Sequence, residues 1–89
     1  FGDQEGSHAT PSEVSLTWHA YPEQERHLKL DPQVAPKGEF ADAADYRRKF
    51  PDGRIGSNPD LASPAAGARL LAAATADLAE DLRLWLAAP

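Results

Sequence analysis

The sequence predicts an α/β fold class, with the chain as one piece of a layered domain that is not expected to fold alone. Three observations lead there. A C-terminal amphipathic run carries an apolar face wider than a helix alone in water would need, the pattern of a helix laid over a sheet. The larger apolar residues cluster at 14–21 and 70–86, and the middle offers only Leu28, Leu30, Val34, Phe40, Tyr46, Phe50, Ile55 and Leu61. At 89 residues, with much of its 42% hydrophobic share in alanine, the chain has little side-chain volume for a core and needs a partner segment.

Thr10-Pro11-Ser12-Glu13 is a compact helix start: a hydroxyl at the N-cap, proline at the first helical position and glutamate at the third. Val14, Leu16 and Trp18 alternate as a strand would, while Val14, Trp18 and Tyr21 share a helical stripe; the cap decides for helix. Pro22 disfavours helical geometry in the residue before it, so this helix ends near Tyr21. Residues 22–40 hold Pro22, Pro32, Pro36 and Gly38 and show no period. An extended connection is expected there, with one turn at Glu23 to Leu28 or a short strand near His27 to Leu30. Ala41 to Phe50 reads as a short helix ended by Pro51-Asp52-Gly53. Gly53 to Pro59 is rich in Gly, Ser and Asn, which either brings backbone N–H groups to a ligand or makes ordinary turns; it lacks the lysine and spacing of a P-loop. Ser63-Pro64 repeats the capping logic, and Leu71, Ala74, Leu78, Leu82 and Trp85 recur at helical spacing behind it.

Composition excludes several classes. Without cysteine there is no disulfide, thiolate metal site or thiol nucleophile. A net charge of -5, with Arg47, Arg48 and Lys49 ringed by Asp42, Asp45 and Asp52, argues against nucleic acid as a partner. Asp77, Glu80, Asp81 and Arg83 interrupt the longest apolar run, so no membrane span is expected, and nothing resembles a secretory leader; a cytoplasmic location is the expectation.

The chemistry-bearing residues gather in the first loop, where Asp3, Glu5, His8 and Glu13 fall within eleven positions. His8 precedes the predicted N-cap by two residues, at a helix mouth whose dipole disfavours the imidazolium. A neutral imidazole there can bind metal, donate a hydrogen bond or exchange a proton near neutral pH. Glu13 either closes the capping box or turns its carboxylate toward a divalent ion beside His8. Glu5 and Asp3 can hold a cationic or N–H-bearing substrate, orient His8 or simply solvate a loop. His19 and His27 carry no complete ligand spacing, so any further metal ligands must come from another segment.

His8-Ala9-Thr10-Pro11-Ser12-Glu13-Val14-Ser15 resembles the His-Ala-Gly-x-x-Glu-Thr-Ser pattern in the C-terminal part of the creatininase, or creatinine amidohydrolase, family. Histidine, alanine, glutamate and the last serine agree, while Thr10 and Val14 replace the glycine and threonine. Phe50 to Pro59, then Ala62-Ser63-Pro64 and the alanine-rich helix, also look like this family's end, so the likeness spans nearly the whole chain. The resemblance implies a three-layer α/β/α sandwich of which this is the C-terminal segment, and hydrolysis of a C–N bond in a cyclic or linear amide. It implies one or two divalent ions, zinc or manganese, that activate water. It also implies His8 as the catalytic group assisting proton transfer, Glu13 as a metal ligand, and Glu5 and Ser7 in substrate binding. The implied partners are a small amide substrate, an N-terminal portion of the same protein in this or a separate chain, and further copies in a homo-oligomer. The competing expectation is a non-catalytic interaction segment whose site has decayed.

Overall fold

Local caps set the helices. The computed structural model describes all 89 residues and holds three α-helices, α1 (Pro11–Ala20), α2 (Ala43–Lys49) and α3 (Pro64–Ala87), with 3-10 turns at Gly2–Gln4, Pro22–Gln24 and Pro59–Leu61. At the start of α1 the Glu13 N–H donates to Thr10 Oγ1 at 3.1 Å and the Thr10 N–H donates to Glu13 Oε2 at 3.0 Å, closing the expected box. Tyr21 caps its other end, directly before Pro22. The Asp42 carboxylate accepts the Asp45 N–H to begin α2, and the Ser63 hydroxyl accepts the Ala66 N–H to begin α3.

The α/β expectation is overturned: the chain forms no strand and no sheet, and its one β-type pairing is an isolated antiparallel bridge between His8 and Ile55. A three-layer α/β/α arrangement is therefore not what these residues build, and the short strand expected near His27 to Leu30 is irregular coil. The reason lies on either side of the bridge. Thr10-Pro11 diverts the chain into α1 two residues after His8, and Gly6 (φ 69°) and Gly56 (φ 67°) break the extended geometry that a ladder needs. The alternation of Val14, Leu16 and Trp18 lies within α1, where Trp18 is buried and Leu16 exposed.

In place of a sheet, the core is organised by an irregular buried segment, Arg54 to Asn58, all five residues of which are buried. The first loop lies along one flank: Ser7 N–H donates to Ile55 O at 2.9 Å, Ile55 N–H to His8 O at 3.3 Å and Asn58 N–H to Gln4 O at 2.9 Å. Residues 33–36 lie along the other, where Ala35 N–H donates to Ser57 O at 3.0 Å and Gly56 N–H to Pro36 O at 2.9 Å. The Arg54 guanidinium, 4% exposed, crosses beneath this layer and donates to the carbonyls of Pro32 at 2.7 Å and Gln33 at 3.1 Å while pairing with Asp52 at 2.7 Å. Buried backbone groups of a loop must find partners, and here they find them across the chain.

Helix α1 packs against the first turns of α3. Ser15 is fully buried at that crossing, its hydroxyl accepting the Ser63 N–H at 3.1 Å. Beyond Leu70 every residue of α3 is exposed, including Leu71, Leu78, Leu82 and Trp85. The radius of gyration, 16.2 Å, exceeds the roughly 12 Å expected of a compact chain this long because α3 projects from the remainder. No helix is long and apolar enough to cross a membrane.

Candidate functional site

The first loop is held rigidly where it passes His8. The His8 carbonyl accepts from the Ile55 N–H at 3.3 Å and from Ser57 Oγ at 2.9 Å, so the backbone on which the imidazole stands is tied to the buried segment. Ala9 then takes φ 54°, a left-handed conformation rare for a residue with a Cβ, and this turn swings the chain from the bridge into α1. Gly6 permits the close approach on the other side of His8: a Cβ there would sit 2.3 Å from Ile55 O and 2.5 Å from Ser57 N.

The imidazole itself lies at an open hollow of about 430 Å³, lined by Ser7, His8, Phe40, Tyr46, Gly53 and Ile55. Tyr46 meets the His8 ring edge-on, with centroids 6.0 Å apart, and Phe40 meets Tyr46 edge-on at 4.7 Å. The Tyr46 hydroxyl donates to Gly53 O at 2.5 Å, which fixes that ring between the other two. Phe40 and Tyr46 are site-lining residues that the sequence does not single out, since Tyr46 reaches His8 only because α2 folds back over the first loop, and Phe40 lines the hollow beside Tyr46.

The two acidic candidates face the start of α1. Glu13 Oε2 accepts both the Thr10 N–H and the Thr10 hydroxyl, at 3.0 and 3.2 Å. These bonds, the backbone one first, hold the Glu13 carboxyl below the usual carboxylate range; burial opposes them weakly, and His8 adds a smaller Coulombic pull. The carboxylate is thus ionised at neutral pH, with Oε1 left over. Glu5 Oε1 accepts the Ser12 N–H at 3.1 Å, so this carboxylate satisfies an orphan donor at the same helix start. Ser7 is exposed and lines the hollow beside His8.

The other histidines stand apart. His19 lies at the α1–α3 crossing, its Cβ beside Gly67. His27 bridges Glu25 at 2.8 Å and Asp60 at 3.0 Å with its two ring nitrogens, and packs edge-on against Trp18 at 4.9 Å. No three His, Asp or Glu side chains converge on a point that could hold a metal ion.

The donor chemistry therefore fits part of a divalent-ion site and no more: an ionised carboxylate with one uncommitted oxygen, near an exposed imidazole. No curated protein matches the chain. Among family models, the one described as Creatininase, creatinine amidohydrolase, matches residues 2–82.

Proposed function

The chain belongs to the creatininase family, and from that membership we propose that it contributes part of the active site of a metal-dependent amidohydrolase. Membership points to amidohydrolase chemistry, and members of the family are generally metal-dependent. The finer reading is hydrolysis of a C–N bond in a cyclic or linear amide, with zinc or manganese as one or two bound ions. The observation that supports it is the family match over residues 2–82, and the place of His8 at an open hollow is the reason the proton-transfer role is proposed for that residue.

In this reading Glu13 would hold the ion with the carboxylate oxygen that the capping box leaves free, so helix formation and ligand orientation would share one side chain. The chemistry a divalent ion would supply there is activation of water and polarisation of the amide carbonyl. His8 carries a proton to the departing nitrogen, its backbone clamped by Ile55 and Ser57 so that the ring keeps its place. Ser7 offers a hydroxyl at the same hollow, and Glu5 presents the carboxylate oxygen not engaged by Ser12 to substrate N–H groups. Glu13 is the one ligand this reading assigns within residues 1–89, and the remaining donors would come from an N-terminal portion of the protein, in this or a separate chain. The same portion, or a further copy in a homo-oligomer, covers the exposed apolar face of α3.

Metal analysis of the complete assembly, with and without Glu13→Gln, tests the proposal. It expects reduced metal stoichiometry and lost amide hydrolysis in the variant; unchanged metal content with unchanged hydrolysis would remove Glu13 from the ligand set. One observation favours a second reading, a structural or interaction segment with a decayed site: Glu13 and Glu5 both already serve the start of α1. Absence of bound metal and of hydrolysis in the wild-type assembly would favour that reading.

A further inference from the structure

Phe40, Tyr46 and Ile55 supply the apolar walls of the hollow at His8, beside Ser7 and Gly53. Phe40 is 49% exposed, Tyr46 is pinned through its hydroxyl to Gly53, and Ile55 closes the floor. Apart from His8, no charged side chain lines it. On α2, Lys49 pairs with Asp45 at 3.0 Å and donates to Glu39 O, Arg48 also pairs with Asp45, and neither of these nor Arg47 lines the hollow. A carboxylate-bearing ligand would find no counter-charge on these walls. A neutral planar ring would meet Phe40 and Tyr46 in the edge-on geometry those rings already use with each other. The size, about 430 Å³, lies within the roughly 300–1,000 Å³ typical of small-molecule sites.

We propose that the Phe40–Tyr46–His8 hollow receives a neutral aromatic group on the nitrogen side of the scissile amide, so that N-aryl amides are the preferred substrate class. The nitrogen side follows from His8: the group that protonates the departing nitrogen lines the same hollow as the aromatic rings. This rests on the amidohydrolase reading. In the reaction the oxygen of water bonds to the acyl carbon, the C–N bond breaks, and a proton from that water passes through His8 to the nitrogen. The products are a carboxylic acid and an arylamine.

The test compares acetanilide with N-methylacetamide on the complete protein, in wild type, Phe40→Ala and Phe40→Leu. Two readouts are taken: the ratio of kcat/KM for the two amides, and the shift of the His8 imidazole proton signals on titration with each amide. Removing the ring should lower the acetanilide preference about five- to tenfold, with leucine intermediate. Acetanilide, and not N-methylacetamide, should shift the His8 signals in wild type. Where the amides are hydrolysed, a ratio that neither variant moves overturns the inference. Where neither is hydrolysed, the His8 shift decides: one that Phe40→Ala abolishes upholds the hollow while the amidohydrolase reading falls, and one indifferent to Phe40, or absent, overturns the inference.

Discussion

Gly67 of α3 lies against the backbone of Ser15 in α1 so closely that a Cβ at position 67 would stand 1.9 Å from the Ser15 carbonyl oxygen. The obstacle is backbone, which no rotamer change can move aside. Gly67→Ala should therefore destabilise the chain: the helix-propensity gain is about 1 kcal/mol, whereas overpacking a fixed contact costs about 1–3 kcal/mol or more. Denaturant unfolding followed by far-UV circular dichroism measures the balance. A more stable variant would mean that the two helices are not in this contact.

Arg54 joins three stretches of chain through bonds to the carbonyls of Pro32 and Gln33, to Asp52 and, more loosely, to Ser57. Arg54→Met keeps the stem and removes every side-chain donor, leaving carbonyls beneath the layer without partners at about 1–3 kcal/mol each. A loss on the order of 3 kcal/mol is expected. Arg54→Lys should recover only a fraction of it, because an ammonium cannot reproduce the planar fork. Faster hydrogen exchange at the Ala35 and Gly56 amides would locate the damage on the 33–36 flank.

The His27 bridge makes stability depend on pH. Hydrogen bonds to Glu25 and then Asp60 raise its pKa above the ordinary 6.5, since a ring donating to two carboxylates must carry both protons. Protonation is favoured more in the folded state than in the unfolded one. The stabilisation is thus fully present below pH 6.5, the unfolded value, and is lost as pH rises through the raised folded value. Melting temperature should fall across that window in wild type and stay flatter in His27→Gln. Equal pH slopes for the two proteins would refute the bridge.

Ala9 holds its left-handed conformation without the freedom of glycine. Ala9→Gly relieves a penalty of about 1 kcal/mol and adds a similar entropic cost, so it should be nearly neutral. Ala9→Val, β-branched at a positive φ, should lose about 1–2 kcal/mol and displace His8. Stability measurements combined with the His8 ring chemical shifts check both halves of that statement.

The match between reading and structure follows the range of the interactions. Both N-caps read from Thr10-Pro11 and Ser63-Pro64 are present, because each joins a side chain to a backbone N–H three residues away. The layered expectation fails because it took the wide face of α3 as evidence of a sheet beneath it; that face is exposed, and the extended segment near Ile55 gains a single bridge. Gly53 to Pro59, open between ligand loop and ordinary turn, contains the most deeply buried stretch of the chain. Glu13 closes the box that was one of its two options, and its free oxygen keeps the other open.

By itself the sequence determined where α1 and α3 begin and where α1 ends, that thiol chemistry is absent, and which family signature surrounds His8; these depend on residue identity and on contacts within a turn or two. Only the tertiary structure decided that no sheet forms, that Arg54 to Asn58 organises the core, and that Phe40 and Tyr46 stand beside His8. The bonds responsible join residues as far apart as Gln4 and Asn58, 54 positions along the chain. Such pairings have no local periodicity to announce them, and they arise only once the helices have brought distant loops within hydrogen-bonding reach.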